Sequence, residues 1–129
     1  MDRVFLDANV LFSAAYRSDA GLVVLRRRAG AALLTSAYAV DEARRNLSGN
    51  DQRRRLDALV RACEIVPTPA AAVLPEGLVL PPDDQLIFLA AMMGQATHLL
   101  TGDRTHFGPY YGRTIGGVLV LPPSIYLQG

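Results

Sequence analysis

Val4-Phe5-Leu6-Asp7-Ala8-Asn9-Val10-Leu11-Phe12 is the stretch whose reading decides the fold. Its three leading apolar residues suit a strand covered on both faces, as in the middle of a parallel sheet. The run halts at a carboxylate, and Asn9 has the side chain of an N-cap for a helix opening at Val10. A strand that ends in an acid and passes at once into a helix puts that acid at the C-terminal edge of the sheet. That is the edge at which α/β folds bind their ligands. Asp7 also has a plainer reading, as a residue that shapes the turn.

Outward from this stretch, apolar runs alternate with helical ones. Residues 10–16 read as a helix and Arg17-Ser18-Asp19 as a break. Residues 20–29 read as a second helix, with Leu22, Val23 and Leu25 inward and Arg26-Arg27-Arg28 at its C-terminal end, where arginines complement the helix dipole. Gly30 stops it. Ala32-Leu33-Leu34-Thr35 is the second strand, Ser36 caps a third helix running to Asn46, and Asn50 or Asp51 caps a fourth ending at Cys63. Glu64-Ile65-Val66 makes a short third strand. Between Pro67 and Pro82 lies a segment rich in proline and alanine, either a flap over a cleft or a connector. A fifth helix spans residues 83–94. Pro81-Pro82 makes Asp83 its natural N-cap and Asp84 its first helical residue. Ile87, Ala90, Ala91 and Gly94 mark its close-packed stripe. His98-Leu99-Leu100-Thr101 is the fourth strand and Val118-Leu119-Val120-Leu121 the fifth, stopped by Pro122-Pro123. This alternation predicts a doubly wound α/β fold around a parallel sheet.

At 129 residues the chain has the length of one domain, and half of it is hydrophobic. No apolar run approaches the roughly 20 residues that span a bilayer. Met1-Asp2-Arg3 leads straight into the first strand, so no signal peptide is expected. A single cysteine, Cys63, fits a reducing cytoplasmic setting and reads as a core residue. All 13 basic residues are arginines. The absence of lysine excludes a P-loop and Schiff-base chemistry.

The acids gain meaning on that scheme. Asp7 ends the first strand, and Asp103 follows the fourth by way of Thr101-Gly102. Asp83-Asp84 opens the fifth helix, and Asp41-Glu42 lies in the third. Strand ends and helix starts share one edge of a parallel sheet, so several carboxylates can converge there. Each acid alone has an ordinary reading as a cap, a turn or a solvated face. Together they repel one another unless a cation lies between them. Oxygen ligands suit Mg²⁺ or Mn²⁺, and no Cys/His spacing suggests zinc.

Leu6-Asp7-Ala8-Asn9-Val10-Leu11, Ser36 with Glu42 and Leu47, and Asp84 through Thr101-Gly102-Asp103 resemble the PIN-domain nucleases, and within them small VapC-like toxins. The likeness runs in order along nearly the whole chain. It implies a three-layer α/β/α fold, a single PIN-like domain, around a central five-stranded parallel sheet. It also implies metal-dependent cleavage of RNA at four acids matching Asp7, Glu42, Asp84 and Asp103. Such proteins commonly pair and are silenced by a small antitoxin, so a homodimer and an inhibitory partner are expected. The segment between Pro67 and Pro82 is longer and richer in proline than in compact toxins.

On this reading Asp7, Asp84 and Asp103 hold the metal, and Glu42 completes the cluster or orients the attacking water. Asn9 and Thr101 brace the acids through hydrogen bonds. With those four acids held by metal, 8 of the 12 acids remain against 13 arginines. Arg44, Arg45, Arg53, Arg54, Arg55 and Arg61 share the third and fourth helices, a face suited to RNA phosphates or equally to solvent or a protein partner. Arg44, Arg45, Arg104 and His106 are the candidate substrate contacts, with turn packing the other reading of His106. The alternative to an enzyme is a catalytically silent PIN-like binding module.

Overall fold

The computed structural model describes residues 1–16, 30–69 and 73–128. The helix expected over residues 20–29, with its arginine cluster, and the break at residues 17–19 lie outside the described residues. So do residues 70–72 of the proline-rich segment.

Among the described residues six strands form one sheet: β1 (Arg3–Leu6), β2 (Ala32–Ser36), β3 (Cys63–Val66), β4 (His98–Leu100), β5 (Thr114–Ile115) and β6 (Val118–Leu121). Their order across the sheet is β3-β2-β1-β4-β6-β5. β1 lies between β2 and β4, parallel to both. Its Val4, Phe5 and Leu6 are fully buried, as an uninterrupted apolar run requires.

The helices are α1 (Ala8–Tyr16), α2 (Ala37–Asn46), α3 (Asn50–Arg61), α4 (Pro82–Met93) and the short α5 (Pro123–Gln128). From β1 the chain steps through β2 to β3 in one direction, and α1, α2 and α3 pack together on those crossovers. α4 then carries the chain back past β1 to β4. With right-handed crossovers, that reversal places α4 on the opposite face, where it packs on β2, β3 and β4. The three-layer α/β/α arrangement follows, and β1 and β4 straddle the point of reversal.

The expected five parallel strands become six, the extra one antiparallel. Thr114-Ile115 turns into Val118 through Gly116 and Gly117, both at positive φ (59° and 83°). Two positive-φ residues are what a two-residue hairpin demands, so the Gly-Gly pair in the sequence was its signal. Pro122-Pro123 stops β6 as expected but also opens α5, since proline is tolerated in a first helical turn.

Three cap assignments also change. α3 begins at Asn50 with Gly49 in the cap position, so neither Asn50 nor Asp51 caps it. α1 begins at Ala8 rather than Val10, because the carbonyl of Asp7 accepts from the amides of Val10 (3.0 Å) and Leu11 (3.1 Å). The Asp7 carboxylate takes the Ala8 amide at 2.6 Å, so Asp7 and not Asn9 occupies the cap position. α4 begins at Pro82, with Pro81 as its N-cap and no side-chain cap. Asp83 therefore sits within the first turn, where, second to burial, it raises the pKa of the Tyr38 hydroxyl. Ser36 caps α2 as expected, accepting from the Ala39 amide at 3.2 Å.

The stripe on α4 holds. Ile87, Ala90, Ala91 and Gly94 are buried. A Cβ on Gly94 would come within 2.8 Å of Val66 Cγ1 and 3.1 Å of Leu34 Cδ2. Helix and sheet meet closely because nothing projects there. The proline-rich segment buries Leu78 and Leu80 in the core. Tyr110 clips it in place, its hydroxyl accepting from the Val79 amide and donating to the Val79 carbonyl. No helix among the described residues is long and apolar enough to cross a membrane.

Candidate active site

The register pairs Leu6 of β1 with Leu100 of β4, so Asp7 and Thr101 leave the sheet side by side. Asp7 is 3% exposed. Its Oδ2 accepts from Thr101 Oγ1 at 2.8 Å and from Asn9 Nδ2 at 3.1 Å, while Oδ1 accepts the Ala8 amide. A carboxylate has about four acceptor positions, so these three bonds leave one toward the cleft. Asn9, released from capping, also accepts the Gly102 amide at 2.7 Å and so fastens the β4 loop to α1. The Thr101 hydroxyl in turn accepts the Asp103 amide at 3.2 Å. Tyr111 donates to the Thr101 carbonyl at 2.7 Å and braces the same loop from behind. Among the described residues no buried side-chain nitrogen or oxygen lacks a partner, so the network is complete.

A cleft of about 450 Å³ opens in front of Asp7, and Glu42, Asp84 and Asp103 line it as well. Asn9, Asn46, Phe12 and Ala8 complete its wall. The four acids come from four different elements: the end of β1, the middle of α2, the first turn of α4 and the loop after β4. No described residue of the proline-rich segment lines the cleft, so its described part is a packed connector rather than a flap.

Burial pushes the Asp7 carboxyl up to about 6. The Thr101 and Ala8 hydrogen bonds oppose that rise, and the charges of Asp84 and Glu42 add to it. The Asp84 carboxyl is also raised, first by burial and then by Asp103. Both acids are thus held in a place where a negative charge is costly without a cation.

His106 completes this corner. Its Nδ1 stands 2.9 Å from Asp84 Oδ2 and 2.9 Å from Asp103 Oδ2. Asp103 Oδ1 holds the turn by accepting the Thr105 and His106 amides at 3.1 and 3.0 Å. One ligand atom from each of Asp84, Asp103 and His106 falls within 4.8 Å of the other two. Two carboxylate oxygens and an imidazole nitrogen are a donor set that fits a divalent cation, with Asp7 and Glu42 on the same wall. His98 takes no part. It lies at the far end of β4, bonded to Thr97 and packed edge-on against Tyr126.

The arginines are distributed differently. Arg44 pairs with Asp57 at 2.7 Å, and Arg53 donates to the Leu47 carbonyl. Arg54 pairs with Asp51, and Arg55 binds the Ala15 and Tyr16 carbonyls at the end of α1. Neither Arg44 nor Arg45 lines the cleft. Arg45 and Arg104 are exposed. Sequence reasoning missed Asn46 and Phe12 on the cleft wall and the brace from Tyr111. Nothing local marks these residues; only the packing of α1, α2 and the β4 loop brings them in.

Among solved structures, the chain is similar to a chain of the VapBC2 complex from Rickettsia felis, solved bound to a DNA fragment from their promoter. The TM-score is 0.62 at 16% identity, over 93% of this chain and 98% of that one. The fold is PIN-like. At that identity the likeness speaks for the fold alone, and neither a family model nor a curated protein matches the sequence.

Proposed function

We propose that this protein is a divalent-metal-dependent endoribonuclease and the toxin of a toxin–antitoxin pair. The observation that carries the reading is the meeting of Asp7, Glu42, Asp84 and Asp103 in one cleft at the C-terminal edge of a parallel sheet. Two of the four have raised carboxyl pKa values. The fold shared with a chain of the VapBC2 complex supports the biological setting.

Asp84 and Asp103 hold the cation together with the remaining acceptor position of Asp7. Asn9 and Thr101 fix the direction of Asp7 through its hydrogen bonds. When bound, Mg²⁺ or Mn²⁺ neutralises the phosphoryl oxygens and activates water. Glu42, half-buried on the cleft wall, orients that water and accepts its proton as the oxygen adds to phosphorus. The P–O bond to the leaving alcohol breaks, and that oxygen takes up a proton from solvent. Arg45 and Arg104, both exposed, take neighbouring phosphates. Arg44 is already occupied by Asp57.

The purified chain should cut RNA in Mg²⁺ or Mn²⁺ and stop in excess chelator. Undiminished cutting in chelator sinks the metal scheme. A chain that binds its antitoxin yet never cuts RNA under any metal is the silent binding module instead. Exposed Tyr16, Ile65 and Met93 leave apolar surface for a homodimer, and light scattering that finds only monomer would remove the dimer while sparing the nuclease.

A further inference from the structure

We infer that His106 is itself a metal ligand, which makes the cation site one of mixed nitrogen and oxygen donors and biases it toward Mn²⁺ over Mg²⁺. The inference rests on the metal reading above and deepens it.

The geometry is the first argument. Nδ1 of His106 lies 2.9 Å from one oxygen of Asp84 and 2.9 Å from one oxygen of Asp103. Neighbouring ligand atoms on a six-coordinate ion with bonds of about 2.1 Å are about 3.0 Å apart, so these separations match the edges of such a shell. The turn is the second argument. Asp103 Oδ1 accepts the amides of Thr105 and His106, which fixes the backbone that carries the imidazole. The imidazole is therefore carried on a backbone held beside the two carboxylates. The third argument is chemical. One ring nitrogen carries at most one hydrogen, so it cannot give a full hydrogen bond to two carboxylates at once. A cation shared by all three would take one lone pair from each of the three facing atoms.

Imidazole suits transition ions, whereas Mg²⁺ takes oxygen donors and keeps its waters. A site with this nitrogen therefore discriminates where an all-carboxylate site would not.

Bound Mn²⁺ reports its ligands directly. Electron spin echo modulation on the Mn²⁺-loaded chain should show a directly coordinated nitrogen, and uniform ¹⁵N labelling of histidine should change that signal. His98, at the far end of β4, cannot supply it. His106→Ala should remove the coupling and weaken Mn²⁺ binding by about tenfold or more. Mg²⁺ binding should fall by less, with the circular dichroism unchanged, since the side chain is 44% exposed. Asp84→Asn should weaken both ions. Bound Mn²⁺ without nitrogen coupling, or equal Mn²⁺ affinity in His106→Ala, overturns the inference and leaves the carboxylate site standing. Mn²⁺ that fails to bind the wild-type chain, or binds Asp84→Asn as well, overturns both.

Discussion

Two charged regions of this molecule are built on opposite plans. At the acidic edge, residues far apart in sequence meet, and hydrogen bonds hold Asp7 in a buried network facing an open cleft. On α2 and α3, residues adjacent in sequence spread apart, and most of the arginines are consumed by the fold. Arg53 and Arg55 bind backbone carbonyls, while Arg44 and Arg54 pair with nearby acids. A run of like charge in sequence is thus no measure of the charge left for a ligand. Scattered acids can be the more functional set.

The sharpest way to break that comparison lies at Asp83 and Asp84. Asp84 faces His106 and the cleft, whereas Asp83 is exposed and outside the cleft wall. Asp84→Asn should cut RNA cleavage by more than about a hundredfold, beyond the loss typical of a group that only supports a ligand. Asp83→Asn changes an exposed side chain outside the cleft and should stay within about threefold of wild type. The reverse order in single-turnover kinetics would place the site on the wrong carboxylate.

The next effect is on stability. A carboxyl raised to about 6 in the folded state binds its proton more tightly there than in the unfolded chain, whose value is near 3.8. The stabilisation from that proton is complete below the unfolded value and is lost as pH rises through about 6. For Asp7 the loss is on the order of 3 kcal/mol, and Asp84 adds in the same direction. In chelator, the melting temperature should therefore fall as pH rises from about 4 to about 7. Excess Mn²⁺ at the upper end should restore it. A flat profile in chelator would mean that the buried acid costs the fold nothing.

What the sequence disclosed and what it hid follow the same division. Buried parallel strands need unbroken apolar runs, so Val4-Phe5-Leu6 and Val118-Leu119-Val120-Leu121 were readable as strands, and Asp7 as an acid at the sheet edge. Ser36 was readable as a cap because a serine before a helix has little else to do. Asn9 and Asp83 misled because capping is a choice among neighbours. Asp7 opens α1 two residues ahead of Asn9, and Pro82 moves the start of α4 two residues earlier than an Asp83 cap would set it. His106 was readable only as a candidate substrate contact, and its place beside Asp84 was not. Its meaning depends on Asp84, which sequence places on another element and only the packing of α4 brings within reach.

A third test separates a consumed arginine from an available one by stability alone. Arg55 donates to the last carbonyls of α1 at 2.8 and 3.1 Å, groups a helix end otherwise leaves to solvent. Arg55→Ala should cost about 1 kcal/mol in denaturant unfolding, since the bonds are charge-assisted but partly solvated. Cleavage by the folded protein should not change. A loss of RNA affinity at unchanged stability would return this helix face to the substrate.

The smallest expected effect is the most discriminating for the comparison. Arg45 is exposed on the same helix as the paired Arg44, and Arg104 is exposed one residue beyond Asp103. Neither lies in the cleft wall, so neither should alter the chemical step. Each can still neutralise a phosphate passing over the rim, and such a contact releases counterions without reading the base. Arg45→Ala and Arg104→Ala should each weaken RNA binding a few-fold and lower the slope of log affinity against log salt by about 1. Arg44→Ala breaks a half-exposed ion pair and should leave that slope alone, at a stability cost of about 1 kcal/mol or less. The salt series must be run on a cleavage-dead Asp84→Asn background with metal present, so that intact RNA is measured. If Arg44→Ala lowers the slope as much as its neighbour does, the pair with Asp57 opens when RNA arrives. The arginine face would then be a reserve of charge held by exchangeable partners rather than one spent on the fold.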